Sequence, residues 1–192
     1  MGGVPKALAP LAGKPLLQHV IDRVSPQVAR LVLSVERPSD ELAAFGLPQL
    51  GDPEPEAGPL AGLLTALQNM DEEQDWLLLV PCDAPFLPLD LAAKLLACAL
   101  ASKLPGAIVR YGSEMQPTFS VWNRDVLQRL EHAVVVEKMA GFKQFLAVTT
   151  LAVLDWPRSE PAPYFNINDQ DDLRRAGRLF KSESGEPVSC SE

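Results

Sequence analysis

The chain has 192 residues, of which 47% are hydrophobic and 22% are charged, and its formal net charge is −8. This composition predicts one globular domain over residues 1–180 and a polar, disordered tail at 181–192. The acidic balance excludes a general nucleic-acid surface, and the absence of a long apolar run or a signal-peptide pattern predicts a cytoplasmic protein without a membrane partner.

Helix and strand patterns alternate through the first half of the chain. In chain order they predict a helix at 15–24, a strand at 29–36, a short helix at 39–46, a helix at 60–70, a strand at 75–80 and a helix at 88–100. The second half predicts strands at 106–111, 117–122 and 148–156 and helices at 123–132, 140–147 and 168–180. Such alternation indicates an α/β fold, an open parallel sheet with helices on both faces. Ligands of these sheets bind beyond the carboxyl ends of the strands.

Asp83 is the acidic residue that follows the clearest strand pattern. The apolar run Trp76–Val80 does not alternate with polar residues, as in a parallel strand covered on both faces. Pro81 and Pro85 fix the backbone on either side of Asp83. A single rigid carboxylate suits Mg²⁺, which keeps several waters and takes only one or two protein carboxylates. The same spacing also allows Asp83 to do no more than cap the turn before the next helix.

Two glycine-containing stretches could approach a nucleotide. Gly2 and Gly3 lie close to Lys6, and glycine amides with a nearby lysine can bind phosphate, although a solvated N-terminus has the same pattern. The second stretch, where a helix begins, is Gly58-Pro59-Leu60-Ala61-Gly62. Its glycines permit close approach of a flat ligand such as a nucleobase, or only a tight junction between loop and helix. Asp52, in the loop before it, could bind a ribose or base or be an ordinary turn residue.

Asn166 and Asn168 occupy alternate positions near the C-terminus. Their side chains point the same way if this segment is extended. Either Asn168 or Asp169 could cap the final helix, whereas Asn166 has no such role and could contact a polar ligand.

The order of these motifs resembles the molybdenum cofactor guanylyltransferases, also called molybdopterin-guanine dinucleotide biosynthesis protein A. The motifs, which extend to about residue 176, are G-G-x-x-K-A-L, L-x-G-K-P-L-L-Q-H-V, G-P-L-A-G, P-C-D-A-P-F-L-P, Q-P-T and F-N-I-N-D. The resemblance implies a Rossmann-like, three-layer α/β/α nucleotidyltransferase fold with a mostly parallel sheet. It also implies transfer of GMP from GTP to molybdopterin with release of pyrophosphate, supported by Mg²⁺.

The resemblance also assigns roles to individual residues. It implies that Lys6 contacts the nucleotide phosphates, together with Gly2 and Gly3, and that Asp83 is the Mg²⁺ ligand, which makes Lys6 and Asp83 the expected catalytic pair. The residues expected at the guanosine are Asp52, Gly58, Pro59, Leu60 and Gly62. Asn166 and Asn168 are expected on the pterin side. The implied partners are GTP, molybdopterin, and the proteins that deliver molybdopterin or receive the finished cofactor.

The resemblance begins at the end of one family motif. The family pattern is a strand followed by L-A-G-G-x-S-x-R-M-G-G, and the sequence aligns from the final M-G-G. We therefore expect either an upstream start or a degenerate, non-catalytic member, and we expect the strands that flank such a central strand to have unpaired edges. A related nucleotidyltransferase that uses CTP or a sugar phosphate is the remaining alternative.

Overall fold

The computed structural model describes residues 5–51, 58–159 and 161–183, and the side chains as far as residue 180. Gly2, Gly3 and Asp52, three of the residues predicted at the nucleotide, lie outside the described residues. The final helix continues to Glu183, into the segment that the sequence predicted as tail.

The described elements follow the predicted order. The strands are β1 (Pro10–Leu11), β2 (Lys14–Pro15), β3 (Leu33–Val35), β4 (Gln49–Gly51), β5 (Trp76–Leu79), β6 (Gly106–Tyr111), β7 (Glu114–Asn123) and β8 (Ala152–Trp156). The α-helices are α1 (Leu16–Val24), α2 (Asp40–Ala43), α3 (Pro59–Gln68), α4 (Leu91–Ser102), α5 (Leu127–Glu131), α6 (Phe142–Val148) and α7 (Gln170–Glu183). No described helix has the length and the apolar character that a membrane span requires.

The described strands form three hydrogen-bonded parts. The first is the antiparallel pair β1 and β2. The other two are the parallel pair β3 and β4 and a second, four-stranded part with the strand order β5-β7-β6-β8. In the second part β6 and β8 are parallel, whereas β7 is antiparallel to both of its neighbours. The reversal arises because β6 and β7 form a hairpin that turns at Gly112, where φ is 64°. Only β7 runs against the other three strands of the four-stranded part, so most of these strands share one direction, as the sequence predicted, although two of the three pairings are antiparallel.

Helices cover both faces of the four-stranded part. Neighbouring strand residues point to opposite faces: Val109 and Val121 pack with α1 and α4, whereas Ile108 and Trp122 pack with α3, α5 and α6. This arrangement confirms the three-layer α/β/α fold.

Strand β7 departs from the predicted strand at 117–122. It begins earlier, at Glu114, and its ladder with β6 shifts register between Ile108 and Val109. Opposite the shift lies Pro117, which has no N–H to donate, and its carbonyl accepts a bond from the Ser120 hydroxyl at 2.7 Å. Proline is therefore accommodated at an irregularity in the ladder.

The N-terminal and C-terminal segments pack together in a separate small core. Its buried members include Leu11 and Leu16 from the beginning of the chain, Phe86 from the loop after β5, and Ile167 and Ala176 from the end. This core brings the first described residues to the carboxyl end of β5.

A large apolar slot lies between β3 and β5. It has a volume of about 920 Å³ and is bounded by both strands and by helices α1, α3 and α4. Among the described residues β3 pairs only with β4 and β5 only with β7, so one edge of each strand faces this slot. The unpaired edges expected from the sequence are therefore present in the described residues.

The core on the α6 face gives a test of the packing. Phe145 is fully buried, and its ring centroid lies 5.9 Å from that of Trp122. We expect Phe145→Ala to lower the free energy of unfolding by about 3–5 kcal/mol, because it leaves a cavity. Guanidinium unfolding monitored by circular dichroism measures this change. Val148→Ala, at an exposed position of the same helix, should change it by less than about 0.5 kcal/mol. Equal losses in the two variants would contradict the packing described.

Candidate functional site

Asp83 lies in a packed loop just beyond the end of β5. The residue is 9% exposed, and the residues that follow it, Ala84 to Leu87, are buried. Its backbone carbonyl accepts a hydrogen bond from the Ile167 N–H at 3.0 Å. The loop is therefore held both by the proline residues beside Asp83 and by the C-terminal segment.

The carboxylate of Asp83 has one paired and one unpaired oxygen. Oδ2 forms an ion pair with the Lys6 ammonium. Oδ1 is buried and has no hydrogen-bond partner among the described residues. A buried charged oxygen without a partner is costly, so this oxygen marks a place where a cation or a donor would be stabilising.

Lys6 connects Asp83 to the C-terminal asparagines. It lies in a short 3-10 helix, Lys6–Leu8, and its Nζ donates to Asn168 Oδ1 at 2.7 Å as well as pairing with Asp83. The Lys6 side chain is 33% exposed, so it remains accessible to a ligand. Three predicted site residues from distant parts of the sequence are thus brought together.

The structure separates the roles of Asn166, Asn168 and Asp169. Asp169 caps α7, because its Oδ1 accepts from the N–H groups of Asp171 and Asp172 at 2.8 and 2.9 Å. Asn168 is not the cap, and its Nδ2 donates weakly to the Asn166 carbonyl at 3.4 Å. The side-chain Oδ1 of Asn166 is buried without a partner in the described part of the chain.

The Gly58–Gly62 stretch makes close contacts within the protein. Gly58 precedes α3 with φ of 75°, and a Cβ there would lie 2.8 Å from the carbonyl oxygen of Ala140. A Cβ on Gly62 would lie 2.8 Å from Ser34 Oγ. The Leu60 side chain is fully buried in the core, so only its backbone atoms could contact a nucleotide.

The loop that supports Gly58 was missed by the sequence analysis. The Ala140 carbonyl accepts from the Leu60 N–H at 3.2 Å. Gln144 Oε1 in turn accepts from the N–H groups of Ala140 and Gly141, at 3.1 and 3.2 Å. A glutamine three residues after a helix start is a capping pattern that the sequence does contain, but it does not reveal that the loop packs against α3.

The glycine stretch at the start of α3 and the end of β5 before Asp83 border the same slot. Gly58, Pro59 and Gly62 line it from α3, and Pro81 and Cys82, next to Asp83, line it from the end of β5. Lys14 is elsewhere: it pairs with Asp22 of α1 at 3.0 Å. The hydrogen bond from Gln18 lowers the pKa of Asp22 most, and the hydrogen bond from Lys14 lowers it further.

The charges at the site favour binding of a cation together with an anionic ligand. They do not favour a cysteine nucleophile. Cys82 is an exposed residue, but desolvation of the thiol and then the negative charge of Asp83 raise its pKa, so it stays a neutral thiol at pH 7. In the described residues no three acidic, cysteine or histidine side chains cluster in a way that could hold a metal. A cation bound here would therefore be held by the single carboxylate of Asp83 and by the anionic ligand that binds together with the cation.

Known proteins resemble the chain over most of its length. A molybdenum cofactor guanylyltransferase from Bradyrhizobium sp. (strain ORS 278) is 36% identical over 187 residues, which cover 95% of this chain and 88% of the relative. Among solved structures, molybdopterin-guanine dinucleotide biosynthesis protein A from Archaeoglobus fulgidus has a TM-score of 0.76 at 21% identity, over 94% of this chain and 92% of its own. Rv0371C of Mycobacterium tuberculosis, in a complex with manganese, has a TM-score of 0.67 at 16% identity, over 92% and 93% of the two chains.

The two solved structures establish likeness of fold, and the sequence matches establish the family. The family model described as the MobA-like NTP transferase domain matches residues 1–153. The Bradyrhizobium relative matches nearly the whole chain, and the site lies at the carboxyl end of β5. This protein therefore belongs to the MobA-like NTP transferase family.

Proposed function

We propose that this protein is a molybdenum cofactor guanylyltransferase, which transfers GMP from GTP to molybdopterin and releases pyrophosphate. The relatives that match about 95% of the chain have that name. The structural observation that carries the proposal is Asp83, which presents an unpartnered buried oxygen beside Lys6 at the carboxyl end of β5. The likeness over the whole chain also favours an active enzyme over a degenerate relative.

The proposed reaction does not need a protein base to deprotonate the nucleophile. A terminal phosphate oxygen of molybdopterin attacks the α-phosphorus of GTP, a new P–O bond forms, and the bond to the β-phosphate oxygen breaks as pyrophosphate leaves. A phosphate monoester is already ionised near neutral pH because its second pKa is about 6. The obstacle is the repulsion between two anions, so catalysis consists of positioning and charge neutralisation.

Lys6 is the residue suited to neutralise phosphate charge. Its ammonium is held between Asp83 and Asn168 and is partly exposed. It can therefore offset negative charge that develops on the leaving pyrophosphate. Gly2 and Gly3, at the phosphates, and Asp52, at the guanosine, stay predictions from the resemblance, as do backbone contacts from Gly58, Pro59, Leu60 and Gly62.

The residues present fit a hard divalent cation, and we propose Mg²⁺. Asp83 Oδ1 is a buried oxygen without a partner in the described residues. A carboxylate oxygen suits Mg²⁺, which relies on waters and substrate phosphates for its other ligands. Asp83 would hold the ion, and the bound ion would neutralise phosphate charge.

Asn166 and Asn168 are proposed to contact the pterin side of molybdopterin. Asn168 accepts a hydrogen bond from Lys6 and donates weakly to the Asn166 carbonyl, and Ile167 between them donates its N–H to the Asp83 carbonyl. The proposed setting is the cytoplasm, where the enzyme would take molybdopterin from the protein that delivers it and pass on the finished cofactor to molybdoenzymes.

The nucleotide requirement tests the proposed function. Purified protein is incubated with molybdopterin, Mg²⁺ and either GTP or CTP, and the dinucleotide product and pyrophosphate are quantified by chromatography. We expect the guanine dinucleotide and little cytosine product, and no product after chelation of the metal. Turnover of CTP at an equal or greater rate, or transfer to a sugar phosphate instead, would point to the alternative nucleotidyltransferases. Absence of turnover with measurable GTP binding would indicate a non-catalytic member.

Replacement of the Asp83 carboxylate tests the cation ligand. We expect Asp83→Asn to lower the transfer rate at least about 10²-fold, because the amide removes the charge that would hold the metal. Initial rates over a range of Mg²⁺ concentrations measure the effect, with circular dichroism as the check on folding. The control Asp90→Asn changes an exposed carboxylate shortly after Asp83, paired with Lys94, and should keep the full rate. Full activity in folded Asp83→Asn protein would refute the assignment.

Replacement of Lys6 tests its role in charge neutralisation. We expect Lys6→Met to lower kcat/KM for GTP by about 10²-fold, since a positioned positive charge at a transferring phosphate is lost. The matched control is Lys14→Met, which removes an exposed lysine paired with Asp22 and should stay within about twofold. Thermal unfolding of both variants separates a loss of fold from a loss of function. Equal effects from the two lysines would argue against a specific role for Lys6.

A further inference from the structure

The segment that carries Asn166 and Asn168 begins with a buried aromatic residue, Tyr164. The Tyr164 side chain belongs to the core on the α4 face of the sheet. The next residue, Phe165, packs instead with the core of the two termini, and so does Ile167. The segment therefore spans two cores, and Asn166 lies between residues that anchor it in both.

Three aromatic rings contact the ring of Tyr164. They belong to Tyr111 at the end of β6, Phe119 in β7 and Trp156 at the end of β8, and we call these three residues the aromatic clamp. Their ring centroids lie 5.6, 4.6 and 5.8 Å from that of Tyr164, with interplanar angles of 66°, 74° and 88°. Edge-to-face contacts of this kind are favoured by the aromatic quadrupoles, so the clamp fixes the direction of the Tyr164 ring as well as its position.

The ring of Tyr164, and not its hydroxyl group, makes these contacts. The hydroxyl oxygen is buried and has no hydrogen-bond partner among the described residues. A buried hydroxyl without a partner is unfavourable, so it does not help to hold the segment. Aromatic packing is therefore the means by which Tyr164 anchors the residues that follow it.

Hydrogen bonds hold the segment on both sides of Asn166. The Tyr111 hydroxyl donates to the carbonyl of Ser159, in the loop before Tyr164, and accepts from the Ser159 N–H, both at 3.2 Å. Beyond Asn166, the Ile167 N–H donates to the Asp83 carbonyl at 3.0 Å. The backbone of Asn166 is thus fixed between the aromatic clamp and the Asp83 loop.

The predicted guanosine contacts depend on a different core. Leu60, within the Gly58–Gly62 stretch, is buried together with Phe142 and Phe145 on the α6 face. In the described residues, neither Tyr164 nor the aromatic clamp belongs to that core. A change at Tyr164 should therefore affect the acceptor side of the site and leave the guanosine side intact.

We propose that Tyr164 is a positioning residue for the acceptor substrate: the aromatic clamp holds its ring, and the ring holds Asn166 where it contacts molybdopterin. This inference rests on the proposed transfer of GMP to molybdopterin and on the acceptor-side role of Asn166. It assigns to Tyr164 an effect on the affinity for molybdopterin and none on the affinity for GTP. Loss of a contact that is made equally in the ground state and the transition state raises KM and leaves kcat unchanged.

Steady-state kinetics of the transfer reaction test the inference, with molybdopterin and GTP varied in turn. In Tyr164→Leu the aromatic clamp has no ring to hold. We expect the KM for molybdopterin to rise about tenfold, and the KM for GTP and kcat to stay within about twofold. Tyr164→Phe keeps the ring and should have the KM of the parent protein. Equal KM increases for both substrates in Tyr164→Leu, or a tenfold increase in Tyr164→Phe, would overturn the proposal.

Phe145→Leu is the matched control for stability. It removes a buried aromatic ring from the core that contains Leu60, and we expect Phe145→Leu and Tyr164→Leu each to lower the Tm by about 5 °C. Only Tyr164→Leu should raise the KM for molybdopterin. The same increase in Phe145→Leu would identify lost stability as the cause and would overturn the proposal.

The parent protein separates this inference from the proposed function. If the parent forms the guanine dinucleotide and Tyr164→Leu has an unchanged KM for molybdopterin, the role of Tyr164 is refuted and the proposed function stands. If the parent forms no dinucleotide, the proposed function is refuted, and the role of Tyr164 in binding this acceptor is refuted with it.

Discussion

The contact between Lys6 and Asp83 joins the beginning, middle and end of the described chain. Lys6 comes from the first described turn, Asp83 from the loop after β5, and Asn168, which also binds the lysine, from the segment before α7. The backbone bond between Ile167 and Asp83 adds to this connection, and the buried side chain of Ile167 anchors it in the small core of the two termini. The positions of Lys6, Asp83 and Asn168 relative to one another depend on this junction.

The junction is electrostatically incomplete in a way that suits phosphate chemistry. One oxygen of Asp83 is neutralised by Lys6, and the other is buried with no partner among the described residues. A protein that needed only stability would gain by giving this oxygen a donor, or by replacing the pair with apolar side chains. The arrangement is better explained by a ligand that brings positive charge, as a nucleotide with its divalent ion does.

Local features of the fold could be read from the sequence, whereas distant contacts could not. The unbroken apolar run of β5 placed Asp83 at the end of that strand, and Ser39, the first residue of the helix predicted at 39–46, caps α2 by accepting from the Leu42 N–H at 3.3 Å. The glycines at 58 and 62 marked close approaches, but the sequence does not tell which atoms approach, and the structure places Ala140 and Ser34 there.

Other differences have the same physical origin. Asn168 pairs with a lysine 162 residues away, a contact that no local spacing encodes. The helix predicted at 123–132 is in fact a 3-10 turn, the helix α5 and then a π-helical turn at His132–Val136. Apolar periodicity marks a buried helical face, but it does not fix which carbonyl each N–H selects.

The hairpin of β6 and β7 has a consequence for how the molecule reaches its native state. Pairing within this hairpin needs only the tight reversal at Gly112, whereas β3 and β4 must be brought side by side across an intervening helix. Loop-closure entropy makes the nearer pairing faster. The β6–β7 hairpin should therefore form early and act as the folding nucleus, and the β3–β4 pair, which has no described pairing with the other strands, should dock late and be the first to come away under mechanical or chemical stress.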